Sequence, residues 1–369
     1  MLEQQFRALL TTPVFVEYAP HNSRMWVAEN NTRFRIERGF LRDRNGGEVW
    51  ITVVKGVFDI RPDGTLRAAK EQDVPPARVA AWSGEPGKSS LLHDTDFIIG
   101  KAGTDILITG HAYAPRGRPA TSVDVGFRAG SLSKRIRAHG VRAWMRGRNS
   151  GTVVPGPARP FDRTPITYEN AFGGSDPDPP PGKPAGSTQN PVGIGFSHQP
   201  LALLDRAAPR LEALDAPLTA GPFEMAPVGF GPIAPHWAAR KCFAGTYDDA
   251  WKENRAPLLP KDFDERFWRS APPDQQVPGF LPPGSRIELT GFTPDGLLTV
   301  RLPEINFGMR VHLTDGDATA AAVLHTVHLL PDERRVLMVW HASYPCHGRE
   351  HKLRQAIVDM EGDRSCLSP

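Results

Sequence analysis

The sequence predicts a mainly β fold, with a β-sandwich-like core, long ordered Pro/Gly-rich loops and few short helices. Three observations carry this. The chain of 369 residues holds 35 glycines and 37 prolines, close to a fifth of its length against an average nearer ~12 %, and both residues disfavour helix interiors. Several segments alternate apolar residues with a period of two, the strand period. Eight Trp and 18 Phe are too many for a disordered chain, and the glycines lack the three-residue period of collagen.

The segment Val49–Ile60 (VWITVVKGVFDI) has two alternation sets. Trp50, Thr52, Val54, Phe58 and Ile60 form one, and Val49, Ile51, Val53, Lys55 and Val57 the other. Both are mostly apolar, so this strand should be covered on both faces. Pro62-Asp63-Gly64 supplies a turn, because proline presets φ and glycine accepts a positive one. Asp105–Tyr113 and Ser122–Phe127 follow as strands. Around Gly140 the alternation changes phase, which marks a bulge or a turn.

The chain divides into an N-terminal β-rich part (1–150), a Pro/Gly- and aromatic-rich loop region packed on the core (151–285), and a C-terminal β-rich part ending in a short helix (286–369). Of the 37 prolines, 24 lie between Pro155 and Pro283. Phe161, Phe172, Phe230, Trp237, Trp251, Phe263, Phe267 and Trp268 sit among them, so these loops should be ordered by aromatic anchors, with a mobile patch near 175–189. A short helix is expected within Leu201–Leu214. The last part returns to strands over Arg286–Leu289, Leu297–Leu302, Arg310–Leu313, Ala322–Leu330 and Arg335–Trp340, with a hairpin at Pro294-Asp295-Gly296. Glu350–Met360 is expected as a terminal helix, with Leu353, Ile357 and Met360 on one face.

Lys+Arg 44 against Asp+Glu 41 gives a net charge of +3, too balanced for a nucleic-acid binder. Three scattered cysteines, Cys242, Cys346 and Cys366, argue against a disulfide framework and for a reducing compartment. The start Met1–Arg7 does not read as a signal peptide, and no run approaches a membrane span of ~20 apolar residues. A cytoplasmic protein with no membrane anchor is the expectation.

Motifs of chemistry are few. Trp82–Ser89 ends like a phosphate-binding loop, yet Trp82 occupies the position of its first glycine, so an ordinary turn is expected. Gly229–Ala234 matches a loose dinucleotide fingerprint, but Pro232 and Pro235 stand where amides and a helix are required. His347, Glu350 and His351 fit the inverted zinc-peptidase spacing, and Cys346 and His341 extend this to a looser set of metal candidates. Gly348 weakens a helix there, and the expectation is no metal and no other cofactor. His325 and His328, three apart on a strand, should point to opposite faces. Cys242, beside Lys241, is expected to be packed. Asp94, Asp96 and Glu304 could pair for glycoside hydrolysis only if the fold joined them. Between Val125 and Phe161 stand eight Lys/Arg and no acid, either a docking face for an anionic surface or a basic face neutralised by acids elsewhere.

Certain short segments stand in a recognisable order. Val53–Ile60, Lys101–Ile106, Gly110–Pro115 and Arg142-Ala143-Trp144 come first. Pro160-Phe161, Tyr168–Gly174, Asn190–Gly193 and Gly229–Ile233 follow. Trp237–Arg240, Gly245–Asp248, Trp251, Leu259–Asp264 and Ala271–Gln276 complete the series. Over roughly 50–345 the chain resembles a bacterial family of formerly uncharacterised proteins encoded in type VI secretion gene clusters. The resemblance implies an adaptor or chaperone, without catalytic activity or cofactor, that helps load an effector onto the secretion spike. Its implied partners are the effector and the spike or its tip protein, with no nucleic acid and no membrane. The sequence departs from the family pattern at His341, where an arginine is expected, and in the Cys346–His351 tail. The partner-binding candidates are Trp237, Arg240, Trp251, Asp262, Phe263, Arg142 and Trp144; the bland alternative is that the loop residues among them only fasten the loops. The alternatives in other classes are a metal- or carboxylate-dependent hydrolase on a β-rich scaffold and a structural spike-associated component.

Overall fold

Strand Glu48–Ile60 is the spine of the molecule, buried along nearly its whole length. In a computed structural model describing residues 27–149, 151–218, 226–362 and 364–367, it pairs antiparallel with Arg35–Arg42 on one side and Arg335–Pro345 on the other. Val323–Leu330 and then Asp105–Ile108 continue this six-stranded sheet, and Leu66–Ala68 adds to the spine's end. A five-stranded sheet runs Leu211–Ala213, Leu132–His139, Ser122–Ala129, Arg286–Thr290, Leu297–Arg301. A four-stranded sheet runs Val27–Asn30, Leu353–Gly362, Ile305–Leu313, Gly316–Ala321. Each sheet of four or more strands joins strands from the N-terminal part (1–150) with strands from the C-terminal part (286–369). Residues Met1–Arg7, read above for a signal peptide, lie outside the described residues.

The two alternation sets of the spine face different layers. Trp50, Val54, Phe58 and Ile60 join the main core, which also takes Phe307 and Met309 from the four-stranded sheet and Phe127, Ile136, Leu289 and Val300 from the five-stranded one. Ile51 and Val53 face a second layer with Phe97 and Val339, and Val57 packs with Ala69 and Leu337. Lys55 belongs to this second register and is buried there. The turn at Asp63-Gly64 forms as expected: Gly64 has φ +83°, and a Cβ would meet the Thr299 carbonyl at 2.2 Å.

Four expectations are corrected. Asp105–Tyr113 is two strands, Asp105–Ile108 and His111–Tyr113, that join different sheets. Leu201–Leu214 holds a 3-10 turn at Pro200–Leu203 and then the strand Leu211–Ala213, because Pro209 blocks helix continuation and the edge of Leu132–His139 offers pairing. Glu350–Met360 is not a helix. After a 3-10 turn at Glu350–Lys352, Leu353–Gly362 is a strand that buries Leu353, Ala356 and Val358. It fills the slot between Ile305–Leu313 and Val27–Asn30, so ladder pairing overrides the helical spacing. Finally, a register shift at His325 inserts one extra residue. His325 and Thr326 then both contact Lys101, and two residues on, His328 reaches His93. The bulge thus turns both histidines to the covered face.

The patch near 175–189 is tied at its ends: Ser175 bridges Gly186, and buried Asp176 accepts from His198 N and Ser197 Oγ.

Candidate partner-binding site

The loops of the middle region lack long ladders, so their backbone groups need other partners. Buried side chains supply them. Asn190 Nδ2 donates to the carbonyls of Tyr168 (2.9 Å) and Phe172 (3.0 Å). Gln275 Nε2 donates to Ile106 O (2.8 Å) and Phe230 O (2.9 Å). Arg240 donates to Asp94 Oδ2 and Ile233 O, both at 2.7 Å, and twice to Phe267 O. Arg269 donates to Asp105 Oδ1 (2.9 Å) and Thr104 O (2.8 Å). Sequence reasoning singled out Asn190 and Gln275 within motifs but assigned them no role; an amide beside Pro/Gly turns is the signal that could have done so.

Arg240 and Arg269 reach a buried polar seam, where the segment around 93–105 meets the second register of the six-stranded sheet. Lys55 Nζ meets Asp96 at 2.9 Å. Asp105, fully buried, accepts from Lys101 Nζ (2.8 Å), Arg269 Nε and Ser270 N. Burial alone pushes the Asp105 carboxyl up, but Lys101 and Arg269 hold it below the usual carboxylate range. His325 stacks on His341 with ring centroids 4.6 Å apart. Burial keeps both neutral, with His341 depressed to about 4. His328, which meets Thr109 through Nε2, is depressed for the same reason.

A cleft opens where the loop lobe meets the sheet. One wall is Leu41, Phe97 and Ile99; the other is Tyr247, Trp251, Pro257, Leu258, Leu259 and Trp268, and Arg42 and Asp43 complete the lining. Helix α1 (Asp249–Asn254) positions Trp251, and its cap Asp248 accepts from Trp251 N at 2.7 Å. Trp251 Nε1 donates to Leu258 O at 2.8 Å, and its ring meets Tyr247 edge-on at 4.8 Å. Exposed Asp262 closes the turn at Gly245 by accepting from Thr246 N and Oγ1. Those bonds hold its carboxyl low, while burial, with the Asp262 charge nearby, pushes the Tyr247 hydroxyl up to about 12. The cleft has a volume of about 110 Å³. Cofactor and substrate pockets span about 300–1,000 Å³, so the cleft matches a single apolar side chain.

Of the seven partner-binding candidates, Trp237, Arg240, Phe263, Arg142 and Trp144 are buried. Trp237 packs on Tyr168. Arg142 donates to Pro209 O and lies 3.5 Å from Glu212, and Trp144 packs with Phe172 and Phe196. Phe263 joins Phe267 and Ala244. Trp251 and Asp262 reach the surface, and Trp251 lines the cleft.

The chemical motifs do not assemble. Lys88 pairs with Glu85 on an exposed turn, and Ser90 is bound to Glu169. Phe230 is fully buried, and a Cβ at Gly229 would strike Tyr168. His347 and His351 are exposed, with His347 at φ +52°, and no helix gives them a common face. Cys346 is buried, its thiol pushed up to about 11 by burial, and His341 lies in the seam. Among the described residues no three or more His, Cys, Asp or Glu are placed to hold a metal ion. Asp94, Asp96 and Glu304 each have an ion partner of their own. Cys242 is exposed rather than packed. No described helix is long and apolar enough to cross a membrane.

A family model for an uncharacterized protein conserved in bacteria, DUF2169, matches residues 45–341. The chain belongs to the DUF2169 family. The matched span contains the spine, the seam, the loop lobe and the aromatic wall of the cleft; Leu41, Arg42 and Asp43 of the cleft precede it, and it ends at His341, before the Cys346–His351 turn. No curated protein and no solved structure matches the chain.

Proposed function

We propose that this DUF2169 protein is a cytoplasmic accessory protein of type VI secretion, an adaptor or chaperone that binds an effector and helps load it onto the spike. The observation that carries the reading is the cleft. A loop lobe, fastened by Arg240 and Arg269, presents Trp251, Tyr247 and Trp268 around a space of side-chain scale. An apolar residue of an effector segment buries there, and the fixed aromatic walls lower the entropic cost of holding it. The resemblance of its ordered series of motifs to proteins encoded in type VI clusters supports this biological setting.

The test is co-purification with the proteins encoded beside it. Trp251→Ala is expected to weaken effector retention at least about tenfold, the cost of truncating a buried aromatic anchor. Ile99→Ser, on the opposite wall and outside the lobe's hydrogen bonds, should weaken it too, with a fall in melting temperature no larger than the loss of one partly buried aliphatic side chain accounts for. If no neighbouring effector or spike protein is retained, and effector levels do not change when the chain is deleted, the adaptor reading fails.

A further inference from the structure

The six-stranded sheet is covered on both faces; the five-stranded sheet has a face that is open over most of its width and covered at the His139–Glu212 end. Its outward side chains include Arg128, Arg135, Arg286 and Arg301, 63–66 % exposed, and Arg137 at 44 %. Carboxylates are fewer and shared. Asp124 serves Arg137 (2.7 Å) and Arg135 (3.5 Å), Glu288 serves Arg128 (2.6 Å) and Arg286 (2.8 Å), and Glu304 stands by Arg301 (2.7 Å). The register sets Arg286 directly opposite Arg301, an arrangement of like charges that costs stability. A fourth carboxylate, Glu212, stands opposite Arg137 but is taken up by His139 and Arg142, so five guanidiniums against four carboxylates leave donor edges free and a local positive field.

Gly126 stands opposite Arg135 and is buried beneath its stem, since a Cβ there would come within 2.8 Å of Arg135 Cγ. Beyond it in the same row come Thr290 and Leu297, the latter 60 % exposed. An exposed leucine beside a threonine, edged by arginines, has the make-up of a protein interface, in which Arg is enriched.

We propose that this face docks an acidic polypeptide segment. Its carboxylates bridge neighbouring guanidiniums, and an apolar side chain lies over Thr290 and Leu297. Charge complementarity selects this occupant. A continuous phosphate backbone would run against Asp124 and Glu288, and His139, the ring that shares this face, is tied to Glu212 with 14 % of its side chain exposed, so it offers no open platform for a base. The existing ion pairs are exposed and individually weak, so an incoming carboxylate exchanges with them at little cost.

The experiment uses the full chain and a labelled peptide of Asp, Glu and Leu, read by fluorescence anisotropy at low and high salt. Wild type is expected to bind, more weakly as salt rises. Arg135→Ser with Arg301→Ser should weaken binding about tenfold, the result of losing two bridged charges. Lys70→Ser with Lys183→Ser, an equal change of net charge at exposed sites off this sheet, should leave it unchanged. The proposal is overturned if both pairs lose equally, if wild type does not bind at low salt, or if an oligonucleotide of matched charge binds this face more tightly. The readout needs no effector, so its failure is separable from failure of the adaptor reading.

Discussion

In the six-stranded sheet, the second register of the spine strand carries Lys55 under a layer of loop, where it meets Asp96 with 2 % of its side chain exposed. In the five-stranded sheet, the outward register carries Arg128 and Arg286 into water, where they share Glu288. Both are ion pairs built on strands, and burial separates their energetics. A buried charge that loses its partner is left uncompensated at low dielectric, whereas an exposed one is solvated and screened. The covered sheet uses charge to lock loops onto a core. The open sheet carries charge that is free to be exchanged.

The sharpest way to break this comparison is Arg269→Met. It leaves Asp105 with Lys101 as its sole cation and strips Thr104 O of a donor, so a loss of about 3–5 kcal/mol is expected from denaturant midpoints. A loss below ~1 kcal/mol would show that the seam is not the lock described here. Acid probes the same seam. His341 is neutral when folded and depressed to about 4, facing Lys101 and stacked His325. Its unfolded form takes up a proton below about pH 6.5. Its contribution is therefore complete above about pH 6.5 and is lost as pH falls toward 4, on the order of 3 kcal/mol. His341→Phe, which keeps a ring for the stack, should flatten the stability–pH curve in that window, with His325 and His328 supplying the remaining slope. At the small end stands Glu288→Gln on the open sheet. Less than about 1 kcal/mol is expected there, shrinking further with added salt; a cost matching Arg269→Met would erase the distinction between the sheets.

The legible parts of the fold were those decided locally. The alternation in Glu48–Ile60 gave both its faces, and Pro-Asp-Gly gave the turn before Leu66. Lys55 was placed in an otherwise apolar register without being read as a buried cation, and its partner Asp96 stands 41 residues away on a loop, where no local pattern names it. The terminal segment was misread because Leu353, Ile357 and Met360 fit a helix, while the choice of strand lay with a ladder offered by Ile305–Leu313. For the site, aromatic content marked the right region. It did not separate Trp237, wholly buried, from Trp251, which lines the cleft, since both occur in similar Pro/Gly-rich surroundings. The bulge at His325 left no signature, and the exposed arginines read from Val125 onward found their acids on other strands.

The pairing of the spine with Arg335–Pro345 joins strands about 280 residues apart. At about 5–20 residues per second of synthesis, Ile51, Val53 and Trp50 wait roughly 15–60 s on the ribosome for the strand that will cover their edge. Contacts of such long range also close slowly once the chain is free. During that interval a 13-residue apolar strand is open to pairing with other chains. The molecule therefore has its own need for protection during biogenesis, and its yield in cells should respond to temperature and to general chaperone supply well before its finished fold does.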